Sequence, residues 1–360
     1  MLNILAAVLL FGLIVLIHEF GHFLFAKLNG IGVVEFSIGM GPRLLSTVRG
    51  ETRYSIKILP FGGSCMMVGE DMGEEEGVAP DPKAFNSKPV WARIQVIAAG
   101  PVFNFILAFL FAMVIVAQIG HDTPVLYGVM EGYPAQEAGL QAGDKITRIN
   151  NRKIRAHRDV SLYLYSHPGE EMTIYYERPA GGSWEQGGAA ERRSVRITPV
   201  YAEEYQSHML GVQFRGYEKT HGLAELISAS AYEVGYCVRS TFDSIGMMFR
   251  RQVEMDEAVA GPVQIVTMVG ETVEEGRQQG PAAVLFVLSN WILLLSASLG
   301  IMNLLPVPAL DGGRLLFLFF ELLRGRPVDP EKEGMVHMAG MALLMAFMVL
   351  VLFNDIRKLL

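Results

Sequence analysis

Cysteine is almost missing from this chain. Its 360 residues hold two, Cys65 and Cys237, which excludes a disulfide framework and a cysteine-ligated zinc site. Charge is thin as well: 19% of the residues are Asp, Glu, Lys or Arg, against roughly 25% in ordinary soluble domains. The balance is acidic, net −7, and no basic arm or aromatic-basic stripe accompanies it, which argues against nucleic acid as a partner. Internal repeats and low-complexity tracts are lacking. So are a basic segment at the N-terminus and a small-residue cleavage site along the apolar run that continues past His22 to Phe25. The first apolar run therefore reads as a retained transmembrane helix and not as a removable secretory signal.

What the chain has is apolar length. Hydrophobic residues make up 51% of it, concentrated in four runs near the roughly 20 residues that a bilayer requires. These are 2–28, 94–119, 284–305 and 335–353, and a fifth run, 315–323, is too short to cross alone. Lys and Arg collect in the loops 29–93 and 314–334, so the positive-inside rule puts both loops in the cytoplasm and both termini outside. The long segment 120–283 then lies outside too, with Cys65 and Cys237 on opposite sides.

The chain thus divides into a first helix (1–28), a cytoplasmic loop (29–93), a second helix (94–119), a large outer segment, a third helix with the stretch that follows it (284–313), a short cytoplasmic helix and loop (314–334), and a fourth helix with the C-terminus (335–360). In the first loop, "VVEFSIGMGPRLL" and "TRYSIKILPFGG" flank a turn at Arg49-Gly50-Glu51 and predict a small β-sheet. Tyr54, Ile56 and Ile58 alternate there with Ser55 and Lys57. The run Glu74-Glu75-Glu76 reads as solvated loop. In the outer segment, "VMEGYPAQEAGLQAGDKITRINNRKI" reads as strand, short helix, turn and strand, with Gly139 and Gly143 at tight corners and Ile146 and Ile149 facing a core. "EMTIYYERPAGGSWEQGGAAERRSVRITPV" reads as a hairpin with a Gly-rich tip. Together they predict a compact β-rich module within 120–216, followed over 217–283 by amphipathic helix lying at the membrane surface.

One apolar run is interrupted by chemistry. In "LIHEFGHFLF", His18, Glu19 and His22 stand where ionisable groups are expensive, so each is a functional hypothesis. His18 and His22 are four apart, on one helical face about 6 Å apart along the axis. That spacing lets two imidazoles grip one metal ion with Glu19 beside them as a base. Catalytic zinc usually takes three protein ligands and leaves the fourth position open. Asp311, in "NLLPVPALDGG", is the candidate at the same depth, because the late part of the first helix and the end of the third both lie toward the cytoplasm. Pro306 and Pro308 break the helix there, and Gly312 and Gly313 remove side chains that would obstruct a close approach. Asn303, also in this stretch, suits either a structural hydrogen bond to the broken backbone or a donor to the oxyanion of hydrolysis. A metal held by these groups would activate water and polarise a peptide carbonyl, with Glu19 carrying the proton to the leaving amine. A membrane scaffold with a structural metal would have no need of Glu19. A metal transporter would call for more ionisable groups in the second and fourth runs, where they are nearly absent.

"HEFGH" in the first span, "NLLPVPALDGG" after the third and a PDZ-like module between the second and third together resemble the site-2 protease family of intramembrane zinc metalloproteases. "FSIGMGPRL", "KPVWARIQVIAAGPVFNFILA", "AGPVQI" and "FNDIRKL" resemble its bacterial branch, the regulator-of-sigma-E type. The resemblance covers nearly the whole chain. It implies Zn2+ held by His18, His22 and Asp311, Glu19 as catalytic base, and Asn303 in substrate handling or transition-state stabilisation. It also implies a membrane-associated β-sheet that holds substrate as an added strand, and a bacterial inner-membrane location. The substrates implied are single-span membrane proteins, anti-sigma factors or remnant signal peptides, already trimmed outside by a first protease. The best-known members carry two PDZ modules in tandem, whereas the outer segment here has room for one.

Overall fold

A backbone in lipid has to satisfy its own hydrogen bonds, and a helix does this within a single run. The computed structural model describes residues 2–70, 81–180, 184, 190–252 and 260–359. Its long helices are α1 (Leu2–Leu28) and α2 (Val90–Ile119), then, after two short ones, α3 (Pro134–Glu137) and α4 (His157–Ser166), α5 (Leu223–Phe249), α6 (Pro262–Gln279), α7 (Pro281–Leu304), α8 (Asp311–Arg324) and α9 (Pro330–Leu359). Four of them, α1, α2, α7 and α9, are long and apolar enough to cross a membrane. The last starts ahead of its apolar run, because Pro330 suits a first helical turn and Glu331 and Glu333 complement its positive end. Among the described residues, the segment 217–283 holds α5, α6 and the first residues of α7. The Glu74-Glu75-Glu76 stretch and most of the Gly-rich tip near 181–189 fall outside the described residues.

Two compact units make up the chain. One comprises 1–114, 233–238 and 253–360, the other 115–232 and 239–252. In the first, Ala7, Leu10 and Ile14 of α1 pack with Leu107 of α2, Val269 and Val273 of α6, and Ile292 of α7. At the other end of α1, Ala26 joins Ile31, Val33, Met67, Val96, Ile97 and Leu315. The stretches "AGPVQI" and "FNDIRKL" meet within the same unit: the N–H groups of Gly261, Val263 and Gln264 donate to the buried Asp355 carboxylate at 3.1, 3.0 and 3.2 Å. A carboxylate at the N-terminus of α6 satisfies donors that the helix itself leaves free.

Strands β1 (Val33–Arg49) and β2 (Thr52–Met67) pair antiparallel around the Gly50 turn. The early part of β1 has partners on both sides: Ser37 faces Ser55 along one edge and Ser64 along the other. The stretch 63–67 pairs only with the start of β1, so no further strand runs along its outer edge among the described residues. The sheet is also inverted with respect to water. Glu35, Ser37 and Ser55 are buried, while Met40, Leu44, Leu45, Val48, Ile56 and Ile58 are exposed.

The buried polar face is internally satisfied. Arg43 donates to Glu35 through Nε at 2.6 Å and Nη2 at 3.0 Å, and Ser55 Oγ donates at 2.6 Å. The Arg43 guanidinium beside Glu35 holds its carboxyl down to about 2. A depressed carboxylate contributes its full stabilisation above its unfolded value and loses it as pH falls through the folded value. The sheet should therefore loosen between about pH 4.5 and about 2, read as faster amide exchange at Ser37 and Ser55. Glu35→Gln should loosen it at neutral pH by about 1–3 kcal/mol and remove that acid transition.

The second unit contains a sheet in the order β4 (Arg152–Lys153), β3 (Lys145–Ile149), β5 (Met172–Pro179), β6 (Ala190–Ile197). Ile146, Ile149, Met172 and Ile174 from its inner face pack with Leu126, Ala135, Val160 and Leu210. Gly139 and Gly143 adopt φ of +77° and +91°, left-handed corners that favour residues without Cβ. Asp144, fully buried at the second corner, is held by Arg178 through two bonds of 2.7 Å.

Candidate metal centre

His18 and His22 leave α1 one turn apart and point the same way. Their Nε2 atoms are 3.2 Å from each other, and Asp311 Oδ2 lies 3.2 Å from the first and 3.4 Å from the second. Three electron-pair donors from opposite ends of the sequence thus converge, and among the described residues these are the ones grouped as a metal site would require. Ligand atoms at about 2.0–2.1 Å from one tetrahedral zinc ion stand about 3.3–3.4 Å from each other. The observed spacings match. Asp311 Oδ2 is buried and has no hydrogen-bond donor among the described residues, so a cation is the partner that the cluster lacks. Two imidazoles and a carboxylate form a donor set that zinc accepts.

Asp311 is delivered by a loop folded tightly on itself. Leu305 follows the last residue of α7 with an extended backbone, Val307 N–H reaches Leu305 O at 2.7 Å, and Asp311 opens α8. A Cβ on Gly312 would lie 2.1 Å from Leu305 O, and one on Gly313 would lie 2.5 Å from Val307 O. These glycines are demanded by the loop's own carbonyls, a reason different from clearance for metal or substrate. Ala309 has φ +77°, unusual for a residue with Cβ, and its N–H donates to His337 Nδ1 on α9 at 2.9 Å.

The second helix closes the cluster from the other side. His22 Nδ1 donates to Val96 O at 2.9 Å, and Asn104 contacts His18 Nδ1 at 3.1 Å. Between them, a Cβ on Gly100 would stand 2.3 Å from His22 Nε2 and 2.8 Å from His18 Cε1. Gly21 meets Ala99 just as closely, at 2.5 Å to its carbonyl oxygen. Gly100→Ala should push the imidazoles apart, and a displacement near 1 Å lowers turnover by about 10²-fold. Zinc content and cleavage should fall together, whereas Gly246→Ala, where a Cβ meets open space, should leave both unchanged.

Glu19 is the neighbour of His18, and β2 runs against it: a Cβ on Gly63 would lie 3.0 Å from Glu19 Cγ. The base candidate and the outer edge of the sheet are side by side. Asn303 lies in the last turn of α7, half-buried and without a side-chain hydrogen bond among the described residues. Asn104 and His337 take the supporting positions. The available sequence signal was an asparagine in the middle of an apolar run and a histidine at the start of another.

Comparison with known proteins gives a consistent result. Residues 6–347 match the sequence model described as peptidase family M50. A Clostridium acetobutylicum chain, provisionally named a zinc metalloprotease, is 34% identical over 98% of this chain and 97% of its own length. Zinc metalloprotease RasP of Bacillus licheniformis is 32% identical, with 99% of each chain covered. Regulator of sigma-W protease RasP of Bacillus subtilis is 30% identical, again over 99% of each. Among solved structures, the PDZ domain of an SdrC-like protein from Listeria innocua aligns with 28% of this chain and all of its own at 24% identity, with a TM-score of 0.21, too low to bear on the argument.

Proposed function

This chain belongs to peptidase family M50, the site-2 type of intramembrane zinc metalloprotease, and we propose that it cuts single-span membrane proteins within or next to their transmembrane segments after a first cut outside. The observation that carries this reading is the convergence of His18, His22 and Asp311 around one point, with Glu19 adjoining it on a spanning helix. His18 Nε2, His22 Nε2 and Asp311 Oδ2 are the atoms that would hold zinc. The chemistry zinc supplies when held there is Lewis acidity toward water and toward a peptide carbonyl. Glu19 takes the proton from the attacking water on its carboxylate and returns it to the leaving amine nitrogen.

A helical substrate hides its peptide bonds, so it must unwind before cleavage. The outer edge of residues 63–67, beside Glu19 and bordered by no further strand among the described residues, supports binding of the unwound segment as an added strand. The apolar outer face of the same sheet supports contact with lipid. The distribution of Lys and Arg supports a cytoplasmic position for both the sheet and the 314–334 loop. The termini and the PDZ-like module then face outward from a bacterial inner membrane. There the module serves either to bind a newly exposed C-terminus or to obstruct untrimmed substrate. The name of the sigma-W relative supports an anti-sigma factor as substrate, and remnant signal peptides have the same single-span chemistry.

The test is a tagged single-span substrate, offered with and without its outer domain to the wild-type enzyme and to Glu19→Gln. Cleavage of the trimmed form by wild type alone is expected. Equal cleavage by both enzymes overturns the protease reading, and equal cleavage of both substrate forms overturns the requirement for a first cut.

A further inference from the structure

Three residues of α2 touch the histidine pair, and they are evenly spaced. Val96, Gly100 and Asn104 are four apart, so they form one stripe along the helix. Val96 O accepts from His22 Nδ1, Gly100 leaves room for both rings, and Asn104 meets His18 Nδ1. Val96 O can only accept. His22 therefore carries its proton on Nδ1 and turns an unprotonated Nε2 toward Asp311. A neutral imidazole has one N–H, and the partner at one nitrogen decides which form the other takes.

His18 needs the same arrangement to offer Nε2 to a cation, and its Nδ1 meets a side chain that can serve either way. Asn104 is fully buried. Its Nδ2 faces His18 while its Oδ1 is buried with no hydrogen bond among the described residues. A half-turn about the last bond exchanges these two atoms in nearly the same volume. With nitrogen forward, Asn104 donates to Nδ1, and the His18 proton sits on Nε2, directed at Asp311. With oxygen forward, Nδ1–H donates to Asn104 and Nε2 is freed. Main-chain anchoring fixes the site of this exchange, because Ser296 Oγ of α7 donates to Asn104 O at 2.9 Å.

We infer that Asn104 is a positioning residue for the metal site, accepting the His18 Nδ1 proton through its amide oxygen and so fixing the tautomer that binds metal. This rests on the reading of His18, His22 and Asp311 as ligands. Partners of this kind on a ligand's far nitrogen change metal affinity by about 10–100-fold when removed.

The test uses the full chain in detergent, with zinc affinity measured by chelator competition. Asn104→Ala should weaken zinc by about 10–100-fold, and Asn104→Leu serves if the alanine variant does not fold. Asn104→Asp, which accepts but cannot donate, should recover affinity to within a few-fold of wild type. Nitrogen-15 spectra of labelled histidine should show His18 protonated at Nδ1 in the zinc-loaded wild type and Asp variant. Two results overturn the inference: Asn104→Ala binding zinc within twofold of wild type, or Asn104→Asp binding as weakly as Ala. Asp311→Asn separates the two levels. If it keeps full zinc affinity, the ligand reading fails and this inference with it. If it loses zinc while Asn104→Ala does not, the ligands stand and the positioning role falls.

Discussion

Glu19→Gln should abolish cleavage of a tagged single-span substrate while the purified protein retains its zinc. Glutamine keeps the shape and one acceptor oxygen, so the contact with the Gly63 stretch of β2 survives. What disappears is an oxygen that can take a proton from water and hand it on. A positioned general base contributes about 10²–10⁴-fold, and the loss should fall in that range or beyond, since the Asp311 carboxylate turns its Oδ2 to both imidazoles and is committed there. Zinc content should not change, because the three converging donors come from His18, His22 and Asp311. The two measurements have to be made on one preparation: lost activity with lost zinc would point to a collapsed site, and retained activity with retained zinc would remove Glu19 from the chemistry.

The parts of this protein legible in its sequence are those governed by local periodicity. His18 and His22 could be paired because four residues make about one helical turn, and Asp311 could be added because charge in the loops sets which helix ends share a side. Asn104 was not legible in that way. A carboxamide in the middle of an apolar run must find a partner, yet its partner is fixed by how α1 and α2 pack, and that packing depends on Gly21 and Gly100 approaching each other's helices closely. His337 is similar: its acceptor nitrogen becomes meaningful once the 305–310 loop turns through a left-handed Ala309. The sheet illustrates a different limit. Alternation in "TRYSIKIL" separates Ser55 and Lys57 from Ile56 and Ile58, but alternation only names two faces. The burial of Glu35 and Ser55, with Arg43 and Ser55 both donating to the Glu35 carboxylate, reveals that the polar face is the inner one.

Asp311→Asn should release most of the zinc, with activity falling in proportion. The exchange is nearly isosteric, so the backbone that positions residue 311 should persist: Gly313 N–H to Leu310 O at 3.0 Å and Ala309 N–H to His337 make no use of the carboxylate. Its negative charge in the first turn of α8 adds about 0.3–1 kcal/mol to that helix, a change small enough to leave the fold intact. The metal is affected far more. A neutral amide oxygen replaces an anionic one at 3.2 and 3.4 Å from the two Nε2 atoms, leaving two neutral imidazoles to hold a divalent ion. Loss of a supporting partner alone reduces affinity by about 10–100-fold, so loss of a ligand charge should exceed about 10²-fold. Chelator competition reads the affinity, and added zinc should restore part of the cleavage, because the site keeps its shape and lacks only affinity. Stoichiometric zinc held at unchanged affinity by the Asp311→Asn variant would take residue 311 out of the ligand set.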